Sequence, residues 1–182
     1  FTIQQGRLWM LQTRTGKRTP RAEVRIAVDM ANEGLITREE AIGRVRTEAI
    51  ERLMHPQIDP AAVYEVVTRG LGASPGAATG KVVLNPDEAV DCAGRGEACI
   101  LVRRETSPED IHGMLKAEGI LTARGGMTSH AAVVARGMSK TCIVGAGEVD
   151  IDESAGLVRI RDLVIKAGDV ITLDGAEGTV ML

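Results

Sequence analysis

From Leu71 onward the chain breaks into short β-rich runs, residues 81–84, 98–103 and 120–123, punctuated by glycine, and this spacing limits what can fold from it. Such runs suit strands and are too short for helices that bury a face. Further runs at 141–144, 157–161, 170–173 and 179–182 extend the pattern, with Asp174 and Gly175 as turn chemistry between the last two. One helix interrupts them. Ser107 caps it, Pro108 begins it, Glu109 and Asp110 suit the positive end of its dipole, and Gly119 closes it. A second, short apolar helix runs from about His130 to Arg136. Mixed short strands with two packing helices predict an α/β fold, a compact β/β/α domain over residues 71–182.

The upstream third has a different texture. Thr19 and Pro20 supply a cap and a first helical residue, and Ile26, Ala27, Met30 and Ala31 recur at helical spacing until Gly34. Thr37 and Glu40 fit a capping box, with Ala41, Ile42, Val45, Ala49 and Leu53 as the apolar stripe of a helix that Pro56 blocks. The two make a helical hairpin linker within residues 20–70. Ahead of it, two strand-like runs flank Gln5, Gly6 and Arg7, a hairpin turn. A chain that opens in a strand is expected to be a piece of something longer.

Bulk properties narrow the function classes. A length of 182 residues allows one medium domain with an accessory element. The net charge of -3 comes from 22 basic and 25 acidic residues without long runs of one sign, and the aromatic content is 2%, so neither a phosphate-backbone surface nor a stacking platform for bases is indicated. No apolar stretch approaches the roughly 20 residues of a membrane span, and no signal peptide is evident. The chain reads as soluble and cytoplasmic. Cys92, Cys99 and Cys142 are odd in number and form no CxxC pair, which predicts reduced thiols and no metal site.

Residues 125–137, GGMTSHAAVVARG, carry the chemistry. A diglycine turn, Gly125 and Gly126, delivers Thr128, Ser129 and His130 to the start of a helix. Free N–H groups and the positive end of the dipole favour an anion there. An imidazole, with an ordinary pKa of about 6.5, is largely neutral near pH 7 and is a nucleophile toward a phosphoryl group. Glycine takes backbone angles others cannot and lets a second active site approach closely. Residue types alone leave a purely structural loop equally open.

The same stretch resembles the phosphohistidine motif of the PEP-utilising enzymes. The segments LGASPGAATGKVV, ILVRRETSPEDI and AEGILTARGG are similar to the mobile domain of that family, so the resemblance runs from Leu71 to the C-terminus. It implies a swivelling phosphohistidine domain in which His130 is the covalent phosphoryl carrier, with Gly125, Gly126, Thr128 and Ser129 as its supporting loop. Met127 follows the pyruvate, phosphate dikinase pattern, whereas phosphoenolpyruvate synthases and enzyme I usually have arginine there. The N-terminal FTIQQGRLWMLQTRTGKRT resembles the last strands of the dikinase ATP-grasp domain, which implies that residues 1–19 are its C-terminal edge and that Gln12 and Arg14 reach nucleotide phosphates. An exposed strand amide is the plainer alternative for Gln12. The resemblance further implies Mg2+ bound outside this chain, ATP, phosphate and pyruvate as substrates, ATP-grasp and barrel domains as partners in the same chain, and a homodimer. A phosphoenolpyruvate synthase carrier and a non-catalytic module that holds a phosphorylated ligand are the alternatives.

Other residues carry smaller expectations. Thr128 is expected to act locally, as a cap or through a hydrogen bond to the imidazole, and the resemblance also makes it a possible regulatory phosphorylation site. His55 is read as a terminal-turn residue, His112 as a surface or packing residue without a partner, and Arg136 as a member of an ordinary salt bridge.

Overall fold

The computed structural model describes residues 1–14 and 16–182; Thr15, inside the expected 1–19 segment, lies outside the described residues. The chain forms two compact units, residues 1–53 and 54–182.

The first unit begins with a two-stranded hairpin, β1 (Thr2–Gln4) and β2 (Arg7–Trp9), in antiparallel register with every strand residue exposed. Its turn residues Gln5 and Gly6 both have positive φ, as the turn chemistry predicts. Helix α1 (Pro20–Asn32) is capped by Thr19, whose hydroxyl accepts from the Ala22 N–H at 3.3 Å. The capping box of α2 (Arg38–Arg44) is complete, with Thr37 and Glu40 each accepting from the other's backbone N–H.

The single helix expected after Thr37 is two helices. Val45 is extended, and the chain resumes as α3 (Thr47–Met54). The cause lies on α1, where buried Glu23 accepts from the Arg46 backbone N–H at 2.9 Å and from its guanidinium Nη2 at 2.9 Å. The apolar stripe could not reveal this, because it depends on a carboxylate 23 positions away.

The second unit holds β3 (Val66–Arg69), β4 (Leu71–Ser74), β5 (Ala77–Val83), α4 (Pro86–Gly94), β6 (Cys99–Arg103), α5 (Ile111–Lys116), β7 (Gly119–Thr122), α6 (His130–Gly137) and β8 (Thr141–Val144). Strands β9 (Val149–Asp152), β10 (Leu157–Ile160), β11 (Leu163–Lys166), β12 (Val170–Asp174) and β13 (Thr179–Met181) complete it. Strand β3 lies ahead of the Leu71 boundary read from sequence, yet it pairs with β13 inside the main sheet. That sheet runs β3-β13-β12-β5-β6-β7-β8-β4. Four of its inner strands, β5 to β8, are parallel neighbours in chain order, each joined to the next by a helical crossover. Strands β3 and β4 stand at opposite ends of the order although only Gly70 separates them in the chain, so the sheet must curl to bring its edges together.

Three layers follow from side-chain alternation. Ile100, Val102, Leu121 and Ile143 point to one face and pack with Val149, Ile151, Val158, Ile160 and Ile165 of the small β11-β10-β9 sheet. Cys99, Leu101, Ile120, Cys142 and Val144 point to the other and pack with Ala89 and Cys92 of α4, Met114 of α5, and Ala131, Ala132 and Ala135 of α6. This is the β/β/α arrangement expected, with three packing helices instead of two. The missed helix, α4, had ordinary start signals in Asn85, whose side chain accepts from the Asp87 N–H, and Pro86.

The helix after Ser107 also differs in detail. It opens as a 3-10 turn, Pro108–Asp110, and ends at Ala117, which turns extended, while Gly119 already belongs to β7. Helices α4 and α5 approach so closely that a Cβ on Gly113 would lie 2.7 Å from the Pro86 carbonyl oxygen. Burial pushes the Cys99 and Cys142 thiols up to about 12. All three cysteines are free and buried. Among the described residues, no helix is long and apolar enough to cross a membrane.

Candidate functional site

Two parallel strands build the site from their carboxyl ends, where ligand sites of α/β sheets form. The β6/β7 register ends on the pair Arg103 and Thr122, and the ladder continues past it, with the Ala123 N–H donating to the Arg103 carbonyl and the Arg124 N–H to the Arg104 carbonyl at 2.8 Å. The chain leaving β6 therefore carries Thr106 alongside the chain leaving β7, which carries Gly125 through His130. Thr106 Oγ1 lies 2.9 Å from His130 Nδ1.

His130 is half-buried and is the first residue of α6. Ser129 caps that helix, its Oγ accepting from the Ala132 N–H. The two local roles expected of Thr128 thus fall to other residues, since the cap is Ser129 and the hydroxyl on the imidazole is Thr106. Thr128 is exposed and its hydroxyl has no hydrogen bond among the described residues. Sequence reasoning missed Thr106 because it lies 24 positions from His130 and only the parallel pairing of β6 and β7 joins them.

Gly125 has φ +111, and a Cβ there would press within 3.0 Å of Ser129 Cβ and Oγ, the capping side chain. Gly126 faces open space, so the surrounding chain does not require it to be glycine. Buried Thr122 donates to the Arg124 carbonyl at 2.7 Å, and the Ser129 N–H donates to the Gly126 carbonyl. Among the described residues Arg136 forms no salt bridge, contrary to expectation. Its Nη2 donates to the Met127 carbonyl at 2.7 Å and its Nη1 to the Ala73 carbonyl on β4 at 3.1 Å.

The Thr106 hydroxyl can either donate to Nδ1 or accept from it, so this contact is compatible with both tautomers of the ring. If the proton sits on Nδ1, it is donated to Thr106 Oγ1, and Nε2 keeps its lone pair. Nε2 has no hydrogen-bond partner among the described residues. The arrangement can therefore present one nucleophilic nitrogen from a half-buried ring held at the other.

The remaining expectations are scattered. Arg14 Nε donates to Gln12 Oε1 at 3.2 Å, both exposed and both beyond the end of β2 instead of within a strand. His112 has a partner after all, Asp87 at 2.9 Å, which ties α5 to α4. His55 sits just past α3, as read, with its Cβ 3.5 Å from the position a Gly76 Cβ would take. Among the described residues no three His, Cys, Asp or Glu side chains cluster in a way that could hold a metal ion, so these residues do not fit a Mg2+ site of their own.

Residues 95–178, which contain this loop, match the family model described as PEP-utilising enzyme, mobile domain. Over these residues the chain is similar to the mobile domain of the PEP-utilising enzymes. A pyruvate, phosphate dikinase from Rhizobium meliloti (strain 1021) is 56% identical over 181 residues, covering 100% of this chain and 20% of that protein. Chloroplastic pyruvate, phosphate dikinase from Flaveria pringlei is 54% identical over 100% of this chain and 19% of that protein. The pyruvate, phosphate dikinase of Clostridium symbiosum is 53% identical over 99% and 21%. The chain thus spans about one fifth of the length of these relatives, and the segment that matches the family model holds His130.

Proposed function

We propose that this chain is the phosphoryl-carrier portion of a pyruvate, phosphate dikinase, with His130 as the covalent carrier. The observation that supports it best is the held ring at the start of α6, with Thr106 on Nδ1 and no hydrogen-bond partner on Nε2 among the described residues. In the first half-reaction Nε2 forms a bond to the β-phosphorus of ATP as its bond to the AMP oxygen breaks, and the γ-phosphoryl passes to inorganic phosphate, giving pyrophosphate. In the second, the enolate oxygen of pyruvate bonds to the phosphorus as the N–P bond breaks, giving phosphoenolpyruvate. Phosphoryl transfer of this kind depends on in-line placement and charge neutralisation.

In this reading residues 1–19 complete the edge of an ATP-grasp domain, where Gln12 and Arg14 reach the nucleotide's phosphates. The helices within residues 20–53 are the arm, and the carrier is residues 71–182 together with β3, which pairs into the same sheet. Mg2+ and the two substrate sites belong to the ATP-grasp and barrel domains, and the whole protein is a cytoplasmic homodimer. The likeness to dikinases about five times longer supports this division.

The test uses the full-length protein. Incubation with ATP labelled at the β-phosphorus, phosphate and Mg2+ is expected to give acid-labile phosphate on His130, and His130→Asn is expected to lose both the label and phosphoenolpyruvate synthesis. A His130→Asn protein that retains more than about 1% of the wild-type rate would overturn the assignment, because a covalent relay has no second acceptor. Absence of label from the wild type would favour a module that only binds phosphorylated ligands.

A further inference from the structure

Thr122 and Arg136 lie outside the loop that presents His130, one at the end of β7 and the other in the last turn of α6. Each gives a donor to one of the loop's carbonyls. Thr122, with no exposed surface, gives its hydroxyl hydrogen to the Arg124 carbonyl at 2.7 Å. Arg136 reaches the Met127 carbonyl at 2.7 Å with one nitrogen and the Ala73 carbonyl, on a neighbouring strand, with the other. Between these anchors stand Gly125 and Gly126, the two residues with the greatest backbone freedom.

We propose that Thr122 and Arg136 are positioning residues for His130, fixing the two ends of the diglycine turn so that Nε2 is held on line with the incoming phosphorus. The inference rests on the carrier reading above.

The chemistry of each donor suits that task. A guanidinium is a planar fork and can hold two carbonyls in one fixed geometry, whereas a lysine ammonium is a point donor at the end of a flexible stem. Arg136 therefore ties the loop to β4, a strand of the main sheet, as well as to its own helix. Thr122 fixes the other end, where Gly125 takes its positive φ. Without either contact the glycines can rotate and carry Ser129, the cap of α6, with them. A displacement of about 1 Å at the reacting centre can cost about 100-fold in rate.

The experiment compares Arg136→Lys, Thr122→Val and Thr122→Ser in the full-length protein, following labelling of His130 from ATP and amide hydrogen exchange of residues 124–130. Arg136→Lys and Thr122→Val are expected to slow labelling about tenfold or more with the KM for ATP unchanged, and to speed exchange in that segment alone. Thr122→Ser, which keeps the hydroxyl, is expected to restore both readouts. Wild-type labelling and exchange in Arg136→Lys and Thr122→Val would overturn the proposal, as would failure of Thr122→Ser to rescue. If the wild type itself takes no label, the carrier reading falls, and unchanged exchange in the variants would then overturn the clamp separately.

Discussion

Thr106 and His130 stand 24 residues apart in sequence and 2.9 Å apart in space, hydroxyl oxygen to Nδ1, so the residue that orients the imidazole comes from a different strand exit than the loop that carries it. Nothing else among the described residues touches the ring's nitrogens with a hydrogen bond.

Replacing Thr106 with Val keeps the shape and removes the acceptor for Nδ1–H. The proton is then free to occupy Nε2, which blocks attack from that nitrogen. Phosphorylation of His130 is expected to slow about tenfold, the size of one lost hydrogen bond, and Thr106→Ser to recover most of it. Histidine 15N shifts in the full-length protein should show the tautomer mixture change in Thr106→Val. An unchanged mixture and a wild-type rate would assign Thr106 a packing role only.

Thr128 is exposed, next to the capping residue and two positions before His130. A carboxylate there brings negative charge toward the position an incoming phosphoryl group must take. Thr128→Glu is expected to cut labelling of His130 by at least about tenfold and Thr128→Val to leave it nearly unchanged. Equal rates for the two variants would show that charge at this position does not reach the transferring group.

The joint of the helical segment depends on pH through Glu23. Hydrogen bonds from the Arg46 side chain and backbone hold its carboxyl down, from the ordinary 4.5 to about 2. A depressed carboxylate contributes stability that is present above its unfolded value and lost as pH falls through its folded value, so the contribution fades between about 4.5 and about 2. Helix unfolding followed by amide exchange in residues 38–54 should accelerate over that window in the wild type. Glu23→Gln should show the fast exchange already at neutral pH. A variant as protected as the wild type at pH 7 would mean that Val45 breaks the helix without help from Glu23.

Gly113 has no room for a side chain, because an added Cβ meets Pro86 backbone on α4. Backbone cannot yield as a side-chain tip can. Gly113→Ala is therefore expected to cost about 1–3 kcal/mol, the usual penalty of overpacking. Cys92 and Cys99 are buried in the layer this crossing covers, so their labelling rate in urea reports the loss. Labelling no faster than in the wild type would show that the helices slide apart at little cost.

Much of this protein was legible in its sequence where the physics is local. Start signals at Thr19 and Thr37 act over three residues, and each marks the beginning of a helix. Apolar runs set most strands of the main sheet, and the resemblance of residues 125–137 to a phosphohistidine motif pointed to His130 where residue types alone left a structural loop equally open. Long-range pairing decided the rest. Strands β3, β4, β9 and β11 went unread because each is stabilised by a neighbour, β13 for the first, β8 for the second and β10 for the other two, and carries little pattern of its own. The break before α3 came from Glu23, the partner of His112 from Asp87 on another helix, and the hydroxyl on the imidazole from Thr106. Each of these is a polar contact between residues at least 23 positions apart, and such contacts leave no periodicity in a chain. The sequence determined which residue types could serve as a nucleophile and offered His130 as the candidate; only the tertiary structure decided which nitrogen of His130 is held and which has no partner among the described residues, because that is set by what the curled sheet brings beside the ring.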